Sequence, residues 1–352
     1  MAETLPQELT DKIVEHSYET TRDIIPLLLV SKSWKLAAER LLYRLVPAEP
    51  DVLRTLESNS HLASLVHKLK LSCKPRLKNW ESNLQVFSSI LLITPNIYSV
   101  DIIGPLIQNY TNNDSELLIK TIKFLDSIQQ LRWLRIRYIF RFHGLRELFM
   151  SLIGWPELEE LELNYALICD VKYKSWGTKS VFCQRLRRLE IFGTKLNARD
   201  FTDLSHLKAP IENFSVNGVE NKDEEILKSL FTCISNWAES LLILRLNGMS
   251  KLERNSAEWE FPLLPNLYIL RSSFTVIHPH TLRQMPKLFE MDYIVTSSTE
   301  NEIAYELIEV LEDSSILPSL YKLRLLGLGH DPEQIELLTK VCMDRSIQVV
   351  GL

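Results

Sequence analysis

The sequence is poor in glycine: ten in 352 residues, with no G-x-x-x-x-G-K-S/T, no G-x-G-x-x-G and no G-x-S-x-G. Phosphate-cradling loops and a hydrolase nucleophile elbow therefore find no support, and no catalytic residue is assigned. Cysteine is scarce as well. Cys73, Cys169, Cys183, Cys233 and Cys342 are odd in number and far apart, without the paired spacing of a disulfide framework or a zinc site. They read as reduced, buried thiols. His278 and His280 bracket Pro279 but have no accompanying ligand cluster, so no metal and no cofactor is expected.

Basic excess is missing too. The formal net charge is −5, the wrong sign for a protein whose affinity comes from phosphate neutralisation, so nucleic acid is not an expected partner. No stretch approaches the roughly 18 apolar residues of a membrane span, and the opening MAETLPQELTDK has neither a basic nor an apolar targeting region. The expectation is a protein of the cytoplasm, the nucleus or both, with no membrane partner.

What is present begins with three helical patterns. Thr4 and Gln7 fit a capping box, Pro6 sits in the first turn, and Leu5, Leu9 and Ile13 line one face. Asp23 is placed to cap a second helix running through Ile24, Ile25, Leu27, Leu28, Leu29 and Val30, with Pro26 in its opening turn. In the third pattern Trp34, Ala37, Ala38, Leu41, Leu42 and Leu45 recur at amphipathic spacing. Three helices in about forty residues carry more apolar surface than they can hide among themselves.

Taken in order, LPQEL, DIIPLLLVSKSW and a helix ending LLY resemble the F-box, whose pattern runs Leu-Pro, acidic-Leu-Leu, Leu-Val-Ser/Cys-Lys-x-Trp. The matching positions are Leu5, Pro6, Leu9, Ile13, Leu27, Leu29, Val30, Ser31, Lys32 and Trp34, and the departure is Pro26, where the family has a polar helix former. The resemblance implies that these residues, with Leu41 and Tyr43, bind a Skp-family linker protein and through it a cullin. Read without the resemblance, the segment is a helical cap on whatever follows.

Beyond residue 60 a pattern apolar-x-x-apolar-x-apolar occurs eleven times, beginning at Val66, Ile97, Leu131, Leu158, Leu186, Ile211, Leu241, Leu267, Leu288, Leu320 and Ile347. The spacing runs from about 21 residues (267 to 288) to about 34 (97 to 131). Pro95, Pro156, Pro265, Pro286 and Pro318 each stand two residues before a copy, where a chain leaves a helix and turns into a strand. Helical periodicity fills residues 83–93, 114–128, 223–237, 300–311 and 333–343.

The expected fold is thus α/β: a short three-helix F-box at 4–46, a helical linker at 47–64, and an irregular leucine-rich-repeat solenoid over 65–352, parallel strands on its concave face and helices outside. The chain resembles leucine-rich-repeat proteins there, although it lacks their Asn or Cys three positions after the last strand leucine. The competing architecture is an α/β domain with strands buried on both faces.

Side chains alternate across a strand, so the residue between the last two apolar positions of each copy faces away from the core. That column reads Lys70, Asp101, Arg135, Glu162, Glu190, Ser215, Arg245, Arg271, Asp292, Arg324 and Gly351. Lys70 to Glu162 are expected to neutralise one another as a ladder. Arg245, Arg271 and Arg324 are candidates to hold an acidic or phosphorylated segment of a target protein, and Trp133 with Arg135 and Arg137 is a second candidate contact.

An F-box joined to leucine-rich repeats implies the substrate-recognition subunit of an SCF-type ubiquitin ligase, itself no enzyme. The alternative is an interaction scaffold that leads to no ubiquitin transfer.

Overall fold

A computed structural model describes residues 5–17, 21–72, 80–104, 124–125, 128–137, 152–164, 181–192, 196, 198–217, 224–247, 261–273, 277–294, 300–326 and 332–351. They fall into two units, 1–138 and 139–352.

The first unit opens with helix α1 (Gln7–Ser17), a short α2 (Thr21–Ile24) that continues as a 3-10 turn (Ile25–Leu29), and α3 (Lys32–Arg44). Asp23 lies inside the first turn of α2 and does not precede it. Pro26 has no N–H to give the α-helical ladder, so the chain tightens into 3-10 geometry there. Leu45, expected at the end of the third helix, instead begins strand β1 (Leu45–Pro47). β1 pairs in parallel with β2 (Lys68–Ser72), β2 with β3 (Ser99–Ile103), and β3 with β4 (Trp133–Arg137). Helices Pro50–Ser58 and Ser60–Ser64 join β1 to β2, and Trp80–Ile93 joins β2 to β3. Thr4 and most of 114–128 lie outside the described residues.

The second unit is a parallel sheet in chain order. Its strands are β5 (Glu160–Asn164), β7 (Arg188–Phe192), β9 (Asn213–Asn217), β10 (Ile243–Asn247), β11 (Ile269–Ser273), β12 (Glu290–Ile294), β13 (Lys322–Leu326) and β14 (Gln348–Val350). Two short strands, β6 (Val181–Phe182) and β8 (Leu207–Lys208), form a separate parallel pair. Helices at Ala198–Ser205, Glu224–Ser235, Glu300–Glu312 and Pro332–Asp344 lie between strands, and a 3-10 turn, Pro279–Gln284, takes that place before β12.

Both units are therefore α/β with open, parallel sheets built from strand-then-helix units. The apolar triplets make the core: all ten copies from Val66 to Leu325, Ser272 included, are buried at their three positions. Each of the five prolines opens a turn before its strand. Within the second unit, neighbouring repeats are laced together there. A carbonyl just before one strand accepts two N–H groups from the start of the next, as when Tyr268 O takes Phe289 N (2.9 Å) and Glu290 N (3.1 Å), and Phe289 O takes Tyr321 N and Lys322 N. Turn amides add to this, with Asn266 Nδ2 donating to Glu239 O at 2.9 Å and Asn236 Nδ2 to Ser205 O at 3.1 Å.

The last copy departs from its expected register. Val349 pairs with Leu323 and Val350 with Arg324, so Val350, not Gly351, extends the outward column. The cause is local. Ser346 adopts φ 58° and donates to Met343 O, while Ile347 donates to Cys342 O, a Schellman ending that connects helix to strand with one residue fewer.

Candidate functional site

Two surfaces stand out, one in each unit. In the first, α1 is pinned to α3 by the buried side chains of Thr10, Val14, Ile24, Ala37 and Ala38. Polar pins add direction: Ser33 Oγ donates to Gln7 Oε1 (3.0 Å), Gln7 Nε2 donates to Ser33 O (3.2 Å) and Asp11 Oδ1 (2.8 Å), and Arg44 pairs with Glu15 at 2.9 Å. Turning Thr10 and Val14 inward turns Leu5, Leu9 and Ile13 outward at i, i+4, i+8 spacing, and all three are exposed. Leu29 is 88% exposed and Val30 60%.

The remaining residues of that set divide by role. Leu27, Trp34, Leu41 and Tyr43 are half-buried, and Pro6 and Lys32 are exposed. Ser31 caps α3, its side chain accepting from Trp34 N at 3.4 Å. Pro6 O accepts from Leu9 N and Thr10 N, both at 3.1 Å, which starts α1. Two further apolar residues of the module, Ile25 and Leu45, are exposed and lie outside the matching positions of the F-box pattern. Ile25 is legible in the apolar run, whereas Leu45 begins β1 and does not continue the stripe of the third helix. On another side of the module Asp11, Glu15, Ala37, Arg40, Leu41, Arg44, Leu65, His67 and Tyr98 line a cleft of about 380 Å³.

Also in the first unit, Trp133 is 39% exposed, with Lys68 Nζ 4.6 Å from its ring centroid and Tyr98 meeting it edge-on. Lys70, Asp101 and Arg135 share one register line. Asp101 is held by Arg137, through Nε at 3.2 Å and through Nη2, a two-pronged contact two residues further along β4 than the expected ladder. Arg137 is thus a half-buried member of an ion pair, whereas Arg135 is exposed.

In the second unit the column is in register from Glu162 to Val350. Glu190 and Ser215, its second and third positions, are buried. Arg188 Nε donates to Glu190 Oε1 at 2.8 Å. Arg245 Nη1 donates to Asn213 Oδ1 (3.0 Å) and Ser215 Oγ (3.4 Å) and lies 3.9 Å from Glu190 Oε1. Arg271 leans the other way, its Nε 2.8 Å from Asp292 Oδ2, and Arg324 Nη1 is 3.6 Å from that same oxygen. Arg245 and Arg271 are direct cross-strand partners of like charge. Burial lowers the Arg245 pKa, and the Arg271 and Arg188 cations lower it further against the pull of Glu190 and Asp292.

Other candidate groups are engaged elsewhere. His278 Nε2 sits 3.0 Å from Glu306 Oε2, joining the 3-10 turn to the following helix. Cys183, Cys233 and Cys342 are buried thiols, and Cys73 and Cys169 lie outside the described residues. No described helix is long and apolar enough to cross a membrane. In comparisons with known proteins, no family model matches the chain and no curated protein matches it.

Proposed function

We propose that the protein is the target-recognition subunit of an SCF-type ubiquitin ligase. In this reading residues 4–46 are an F-box docked on a Skp-family linker, the strand-then-helix units are an irregular leucine-rich-repeat solenoid, and its outward strand face holds a target protein. The observation that carries the reading is the apolar surface of Leu5, Leu9, Ile13, Leu29 and Val30, which the chain's own fold leaves open at the positions of the F-box pattern. Uncovered apolar surface of this extent on a small helical module fits an interface.

Such a subunit has no need of an acid, base or nucleophile. Linker and cullin would hold a loaded ubiquitin carrier beside the bound target, raising the effective concentration of target lysines, and the transfer chemistry would belong to other subunits. Cytoplasm and nucleus are both compatible locations.

Co-purification tests the proposal. The intact chain is expected to bring down linker and cullin together, and a Leu29→Ala, Trp34→Ala double variant to lose both while retaining its targets. Recovery of linker without cullin would instead favour a scaffold that leads to no ubiquitin transfer, and recovery of neither would refute the F-box reading.

A further inference from the structure

The segment between α2 and α3 is fixed at both ends. Ile24, 2% exposed, anchors its start in the core of the helical module, and Ser31 closes its end by capping α3. Between them Ile25–Leu29 is a 3-10 turn in which no residue is buried. The sequence supplies a cause: Pro26 has no N–H to donate to the Arg22 carbonyl, and its ring crowds that carbonyl, so the α-helical ladder of α2 does not run on.

The change of helix type moves the apolar side chains. A 3-10 turn advances about 120° and about 2.0 Å per residue, against about 100° and about 1.5 Å in an α-helix, so over the four steps from Ile25 it rotates Leu29 by about 80° and carries it about 2 Å further along the axis. In an α-helix Ile25 and Leu29 would form one stripe, about 40° apart. In the turn they stand about 120° apart. Ile25 then shares its line with half-buried Leu28, and Leu29 shares its line with exposed Pro26, each pair three residues apart. Leu29 is 88% exposed there.

We infer that Pro26 is a positioning residue for the Skp-family linker: by holding the 3-10 turn it sets the place and direction of Leu29, and so selects a linker whose groove takes Leu29 beside Pro26 and off the line of Ile25. The inference rests on the reading of the helical module as an F-box. It adds what the F-box pattern does not contain, since that pattern has a polar helix former where this chain has Pro26. The proline ring also fixes its φ before binding, which leaves less ordering to the complex.

The test is a double-mutant cycle on the full chain, titrated calorimetrically against purified Skp-family linker. Pro26→Gln restores the N–H with a polar helix former, and Pro26→Ala repeats the change with a smaller side chain. Each is expected to weaken linker binding about tenfold while the urea midpoint of the free chain stays close to the parent's. Leu29→Ala should cost about 30-fold with Pro26 present and no more than about threefold in either Pro26 variant, because a leucine already turned from its pocket has little left to lose. Pro26 variants that bind like the parent would overturn the inference, since Ile24 and Ser31 would then hold the turn by themselves. Additive effects of the two substitutions would overturn it as well, as would a fall in urea midpoint large enough to account for the binding loss. A parent chain that binds no linker ends the F-box reading and this inference together, whereas a parent that binds but shows an additive cycle ends the inference alone.

Discussion

Leu29→Ala separates interface from fold more cleanly than any other substitution in the helical module. The side chain is 88% exposed at the end of the 3-10 turn, so truncation removes almost no contact within the protein. Burial beneath a partner would remove three carbon groups' worth of apolar surface from water, at about 0.8 kcal/mol each. Scaled by the fraction now open, the loss on truncation is about 2 kcal/mol, or roughly 30-fold in the dissociation constant. Folding stability should change by less than about 0.5 kcal/mol, as for surface positions generally.

Isothermal titration against purified Skp-family linker gives the first quantity, and urea unfolding of the free chain gives the second. Ile24→Ala is the internal contrast. Ile24 is 2% exposed, so its truncation should cost about 2–5 kcal/mol of module stability and weaken binding only through unfolding. The reasoning is refuted if Leu29→Ala binds the linker like the parent, or if it destabilises the chain as much as Ile24→Ala does.

Arg345 donates three hydrogen bonds of 2.8 Å to the carbonyls of Leu311, Ile316 and Leu317, tying the last two helices together; Arg345→Met should cost about 2–4 kcal/mol in urea unfolding. Ser346 sits at φ 58°, so Ser346→Gly should stabilise by about 0.5–1 kcal/mol, whereas Gly351, at φ 88° with a Cβ position 3.0 Å from Leu325 O, should lose about 1 kcal/mol or more on replacement by alanine. Both changes are readable as shifts in unfolding midpoint. Burial pushes the Cys183 thiol up to about 11, and likewise Cys342, where Arg345 opposes it, from an ordinary value of 9.0, while burial and Glu306 push Tyr293 well above 10.0. These groups favour the folded state fully below pH 9, and that contribution is lost as pH rises from about 9 through 11, because only the unfolded chain can ionise there. Urea midpoints should fall over that window, less so in Cys183→Ala, and iodoacetamide at pH 8 should leave Cys183, Cys233 and Cys342 unmodified until the chain unfolds.

The sequence by itself determined the position and inward face of ten strands, those that carry the copies from Val66 to Leu325. A period of two within each apolar triplet admits one inward set, and a one-residue slip would bury Arg245 and Arg271 in place of Leu244 and Leu270. It also placed Leu5, Leu9 and Ile13 on one face of the first helix, whereas packing against α3 decided that Thr10 and Val14 turn inward and leave that face exposed. What it left open depended on angles and reach. Asp101 chose Arg137 over Arg135 because a long guanidinium side chain crosses to the diagonal neighbour. The final strand moved by one residue because a Schellman turn, invisible without a glycine at its left-handed position, shortened the connection. Arg245 and Arg271 lean apart, towards Glu190 and Asp292, because two like charges about 5 Å apart seek separate counter-ions, and only three-dimensional neighbours could say which ones those would be.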